Sequence, residues 1–175
     1  MRKLEFGVRI LAACVVLAWI WVLAAHARSL DSYRISQLQP ISIGSDISYT
    51  DDQHMYFKGF DRPGSAYRWT ARPDTALIFK LERPSRTAFD VCAHGTLLDG
   101  VIVVGKVGGR VVPVVIGEAR KKLCVEVHPD ASAGDTVRVE LRFLGTLRRP
   151  HDTRAFGMAL TSVSLIQTKK TGQTF

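Results

Sequence analysis

The sequence predicts an all-β body, a two-sheet antiparallel β-sandwich of jelly-roll-like form, preceded by one N-terminal hydrophobic helix. Three observations carry this expectation. Arg2, Lys3 and Arg9 precede an unbroken run of sixteen apolar residues, 10–25. Past residue 27, apolar and polar residues alternate with a period of two in short runs, the pattern of half-buried strands. Gly, Pro and Asp punctuate those runs, and no stretch of the body has the period of a soluble amphipathic helix. Seven or eight such runs imply two packed sheets, with an up-and-down barrel as the other architecture open to them.

The leader reads as an export signal or an anchor. Ala25-His26-Ala27 offers the small-x-small pattern of a signal peptidase site before Arg28. Trp19 and Trp21 favour a retained anchor, because interfacial tryptophans mark the ends of spanning helices, and the run approaches the roughly 20 residues such a helix needs. Both fates stay open. Three basic residues before the run, against Arg28 and Arg34 after it, place the N-terminus in the cytoplasm and the body outside. The expected division is 1–27 as membrane anchor or signal peptide, 28–47 as juxtamembrane linker and first strand, 48–166 as the sandwich, and 167–175 as a flexible tail.

The strands follow in order. Ile41, Ile43 and Ile47 suggest a short first strand. Residues 75–81 set Leu77, Phe79 and Leu81 on one face, and 88–93 form the next strand. Residues 101–107 and 111–116 come next, with Gly108-Gly109 between them as a tight hairpin turn. Residues 123–127 precede 136–143, where Val137, Val139, Leu141 and Phe143 alternate with Arg138, Glu140 and Arg142. Residues 158–166 are the last strand.

Charge narrows the partners. Arg2, Lys3 and Arg9 take three of the 24 basic residues and Glu5 one of the 16 acidic ones, so the body carries +6. That excess is scattered, with no basic stripe interleaved with aromatics, and nucleic acid is not an expected partner. Acidic lipid headgroups or anionic glycans suit it better, since an exported chain meets those first. Cys92 shares a strand face with Asp90 and His94, and Cys124 shares one with Lys122, Glu126 and His128. Both thiols therefore point away from the apolar faces, and a disulfide is open to them if their strands are neighbours. A Cys2His2 site from Cys92, His94, Cys124 and His128 lacks the close ligand pairs of structural zinc sites, and no metal is expected.

Two stretches carry a resemblance. Gly59-Phe60-Asp61-Arg62-Pro63, then Tyr67-Arg68-Trp69-Thr70 and the strand beginning at Ala76, are similar to the opening of a β-sandwich domain of bacterial envelope proteins. Asp152-Thr153-Arg154-Ala155-Phe156-Gly157-Met158-Ala159-Leu160 resembles its closing D-x-R-x-[LF]-G-[ILM]-A-[LI] segment. That domain stands beside membrane glycosyltransferase and phosphoglycerol-transferase-type modules and is galactose-binding-like in shape. The resemblance implies a glycan-associated role, with the body on the periplasmic side of a bacterial inner membrane or free in the periplasm. Here the sandwich stands behind a single hydrophobic segment with no transferase attached.

Arg68, Trp69, Asp152 and Arg154 are the candidate ligand-binding residues. Trp69 and Arg68 offer an indole face and a guanidinium to a sugar ring, or Trp69 closes one end of the core. Asp152 and Arg154 form either a small-ligand clamp or an internal ion pair bracing the turn at Gly157. Tyr56, Phe57, Phe60 and His54 make a loop cluster, a partner patch or plain packing. No nucleophile elbow, phosphate loop, dinucleotide fingerprint or zinc-protease helix occurs. A non-catalytic module without cofactor is expected. Its partner is an envelope glycan or, alternatively, a membrane glycosyltransferase-type protein. The glycan reading calls for an exposed aromatic with convergent polar groups, the protein reading for an exposed apolar patch.

Overall fold

The computed structural model describes residues 2–132, 136–146, 154 and 156–168. Two compact units divide the chain after Gln37. The first is a helix, α1, over Arg2–Ser36. Its segment Ala13–Ser36, 24 residues with mean hydropathy 1.6, is long and apolar enough to cross a membrane. At 1.5 Å per residue it reaches about 36 Å, against a hydrocarbon core of about 30 Å. A signal sequence meets the same description, so α1 fits an anchor and a signal alike.

The helix outruns the apolar run for a local reason. Residues 28–36 contain neither Gly nor Pro, and the hydroxyls of Ser32 and Ser36 donate back to the carbonyls of Arg28 and Tyr33 at 2.9 and 2.7 Å. Pro40 then forces extended backbone. The segment 28–47, expected as a linker and first strand, thus holds the last turns of α1 and strands of two different sheets.

The second unit is a two-sheet β-sandwich. Its strands are β1 (Pro40–Ile41), β2 (Asp46–Ser48), β3 (Met55–Lys58), β4 (Arg68–Trp69), β5 (Asp74–Leu81) and β6 (Phe89–Leu97). Then come β7 (Ile102–Val107), β8 (Arg110–Val112), β9 (Val114–Ile116), β10 (Lys122–Val127), β11 (Thr136–Leu144) and β12 (Met158–Gln167). One sheet has the order β1-β5-β11-β7-β8, with β3 also paired to β5. The other has the order β2-β12-β6-β10-β9, with β4 also paired to β12. Every pairing is antiparallel except β1 with β5. The chain folds back on itself in the jelly-roll manner, β5 meeting β11 in one sheet while β6 meets β10 and β12 in the other.

Alternation builds the core. Val137, Val139, Leu141 and Phe143 of β11 face Val91, Ala93, Leu123 and Leu165 of the second sheet within one buried cluster. Each such burial of a Val, Leu or Phe stabilises by about 1.5–3 kcal/mol. Every residue of this cluster lies between Ile41 and Leu165, so the body holds a core of its own and folds without α1. Gly108 and Gly109 have φ of 57° and 80° and close the two-residue β7–β8 hairpin. The run 111–116 is two strands rather than one, because Pro113 withholds a ladder donor and the chain crosses there from one sheet edge to the other.

A bulge interrupts β12 against β6 between Leu160 and Ser162. Gly95 lies opposite, with φ of 148°, and a Cβ there would come within 1.9 Å of the Ala159 carbonyl oxygen. That close approach sets how β12 meets β6 and β4.

Candidate functional site

The candidate residues converge on β4. Arg68 stands opposite Leu160 of β12 and shares its inward face; Trp69 stands opposite Ala159 and faces outward. Arg68 is 5 % exposed, its guanidinium 4.3 Å from the Phe57 ring centroid, and its Nη2 donates to Asp52 Oδ1 at 3.0 Å. The side chain ties the two sheets together by a cation–π contact and a charge-assisted hydrogen bond. Arg68 is therefore corrected from a ligand-facing group to an internal tie, because strand alternation turns it inward.

Trp69 is half-buried and stands outside the core cluster. Its ring meets Tyr67 and Phe156 edge to face, with centroids 5.4 and 5.5 Å away. Tyr67 is 42 % exposed. The three rings form a shelf on the outer face of the second sheet, with Phe156 buried beneath. At its border Arg154 lies over the Phe156 ring, 5.1 Å from the centroid, and pairs with Asp61. Asp61 is positioned from the shelf itself, its N–H donating to the Trp69 carbonyl at 2.8 Å. Trp69 and Arg154 thus come together, joined by Asp61, Tyr67 and Phe156. Asp152 lies outside the described residues.

The brace at the Gly157 turn is Thr70. Its buried hydroxyl accepts the N–H groups of Gly157 and Met158 at 2.6 and 3.1 Å, while its own N–H donates to the Met158 carbonyl at 3.0 Å. The pattern Tyr67-Arg68-Trp69-Thr70 therefore sends alternate residues out to the shelf and in to the frame.

Depressions lie elsewhere. A cleft of about 330 Å³ opens beside the β7–β8 hairpin, floored by Val107 and Val112 and ringed by Arg110, Glu126, His128 and Asp130. A smaller one of about 230 Å³ lies on the outer face of the first sheet, among Lys58, Asp74, Lys106, Arg138, Glu140 and Arg142. Neither contains an aromatic ring.

The loop cluster divides. Phe57, on β3, is buried and meets Phe60 edge to face at 6.0 Å, while His54 Nδ1 lies 2.8 Å from Asp51 Oδ2. Cys92 and Cys124 are directly opposed on β6 and β10, with Cα atoms 4.1 Å apart and sulfurs bonded. Sulfurs joined to each other leave no thiolates for the Cys2His2 alternative. Beside them His94 Nε2 lies 2.8 Å from Ser164 Oγ. Burial, then the nearby Lys122 charge, hold the His94 imidazole below its ordinary 6.5, with Asp46 opposing. Burial and Glu126 raise the Asp90 carboxyl on the same face, against the opposing charge of Lys122.

No protein-family model matches the chain, and no curated protein is significantly similar to it. Asp61, Tyr67 and Phe156 are additions to the site that the sequence did not single out. All three lie within the two resembling stretches, but 93 positions separate Asp61 from Arg154, and no local pattern joins them.

Proposed function

We propose that this protein is a non-catalytic recognition module of the cell envelope that binds surface glycan on the Tyr67–Trp69 shelf. Its body is displayed on the periplasmic side of a bacterial inner membrane, or released there if the leader is cleaved. The half-buried Trp69, continued by the exposed Tyr67 and bordered by the Asp61–Arg154 pair, carries this reading. The edge-to-face rings of Trp69 and Tyr67 supply apolar area for the C–H face of a sugar, and an adjacent carboxylate and guanidinium supply acceptors and donors for its hydroxyls. The resemblance to sandwich domains beside membrane glycosyltransferases points the same way. A glycan array probed with residues 38–175 tests it. Retention of a saccharide class that Trp69→Ala abolishes is expected, and a folded body retaining none would contradict the proposal.

A second reading is a protein-interaction subunit docking on a membrane partner such as a separately encoded transferase. The β8–β9 edge favours it, with Val111 and Val115 at 68 % and 65 % exposure. Under this reading Val115→Glu removes a partner co-purified from mild detergent while leaving stability within about 0.5 kcal/mol.

A further inference from the structure

The two outer faces of the sandwich differ in charge. Among the described residues, the first sheet turns outward Lys58, Lys80, Lys106, Arg138 and Arg142. Only Asp74 and Glu140 oppose them there, giving +3. The second sheet turns outward Asp46, Asp90 and Glu126 against Lys122, giving −2 with His94 neutral. In register, Lys58, Ala76, Glu140 and Lys106 form one row across β3, β5, β11 and β7, while Arg138 pairs with Glu140 and Arg142 with Asp74, so the excess charge rests on the lysines. The small Ala76 leaves the 230 Å³ depression between Lys58 and the β11 arginines.

The basic face also carries aliphatic side chains in the open. Ile102 and Leu144 are direct cross-strand partners, 64 % and 42 % exposed, and Val111 stands opposite Lys106. Cations around exposed aliphatics are the composition of a surface that settles on anionic lipid, charge drawing it to the headgroups and side chains entering the interface.

We propose that the outer face of the first sheet is a membrane-contact surface selective for anionic lipid headgroups. Charge complementarity and the exposed aliphatic side chains on the same face support lipid as the occupant. The opposite face, being acidic, is repelled from the same surface, so the charge difference sets which side turns to the membrane.

Co-sedimentation of residues 38–175 with vesicles tests this independently of α1 and of the glycan shelf. Binding to phosphatidylglycerol-containing vesicles, lost in high salt and absent on pure phosphatidylcholine, is expected. Each basic residue near such a surface strengthens binding about fivefold, so Lys106→Glu with Arg142→Glu weakens it by at least about 25-fold. Lys122→Glu, a charge reversal of the same kind at one position of the other face, leaves it unchanged. Ile102→Ser with Leu144→Ser weakens it without altering the salt dependence. Equal binding to both vesicle types, binding to neither, or full binding by the Lys106/Arg142 variant would overturn the proposal. So would capture by a soluble polyuronate in the absence of vesicle binding, which would assign the face to acidic glycan.

Discussion

The two edges of the sandwich are closed by short strands from both sheets, yet they are held and furnished differently. On one side β4 hangs on β12, fixed by the hydroxyl of Thr70 and by Arg68 reaching across to Phe57. It displays aromatic rings. On the other side β8 and β9 meet at Pro113, and β9 is carried by β10, which the Cys92–Cys124 bond ties to β6. That edge displays bare valines and a cleft without rings. Among the described residues, the exposed ring that a sugar can meet lies at the first edge, and the bare valines that a protein partner can cover lie at the second. The two functional readings are thereby separated in space, and each edge can be broken without the other.

The largest effect is expected at the first edge. Gly95→Ala drives a Cβ into the Ala159 carbonyl at a φ of 148° and separates β12 from β6. A loss of about 3–5 kcal/mol in urea denaturation is expected from combined overpacking and backbone strain. A loss below 1 kcal/mol would show that the bulge relaxes and does not fix β4. Next, Cys92→Ser with Cys124→Ser removes the cross-link and is expected to cost about 2–4 kcal/mol. Amide exchange should rise along β9 and β10 and leave β4 protected; a uniform rise would erase the distinction between the edges.

Thr70→Val keeps the shape of the side chain and deprives two buried N–H groups of their acceptor. A cost of about 2 kcal/mol is expected, with weaker protection at Gly157 and Met158 and the disulfide edge unchanged. The smallest effect is a pH dependence on the disulfide face. His94 in the folded state holds its proton less readily than in the unfolded chain, so the unfolded state binds more protons as pH drops. This contribution to stability is fully present above the ordinary 6.5 and is lost as pH falls from there toward the depressed folded value. Denaturation midpoints taken on either side of that window should differ for the native chain and converge for His94→Gln.

The long strands were legible because alternation is local. In β11 four apolar residues in register suffice, and the side of Cys92 and Cys124 followed from their neighbours in the same way. Strands β3 and β4 were not legible: four and two residues long, they show no period, and their pairing comes from β5 and β12, distant in sequence. The run 111–116 read as one strand because its valines continue past Pro113, whose sheet change only the tertiary fold reveals. At the site, Trp69 was visible as a residue type, but the inward turn of Arg68 required knowing that β4 is a strand. The Asp61–Arg154 pair required the whole sandwich.

The most direct measurement uses a feature of composition. Of the three tryptophans, two lie in α1, so residues 38–175 contain Trp69 alone as a fluorescent reporter. Titrating that body with the saccharide it retains should shift Trp69 emission in a saturable way, and Tyr67→Ala should weaken the response. Full-strength saccharide binding with Trp69 emission unmoved would place recognition off the β4 shelf and contradict the account.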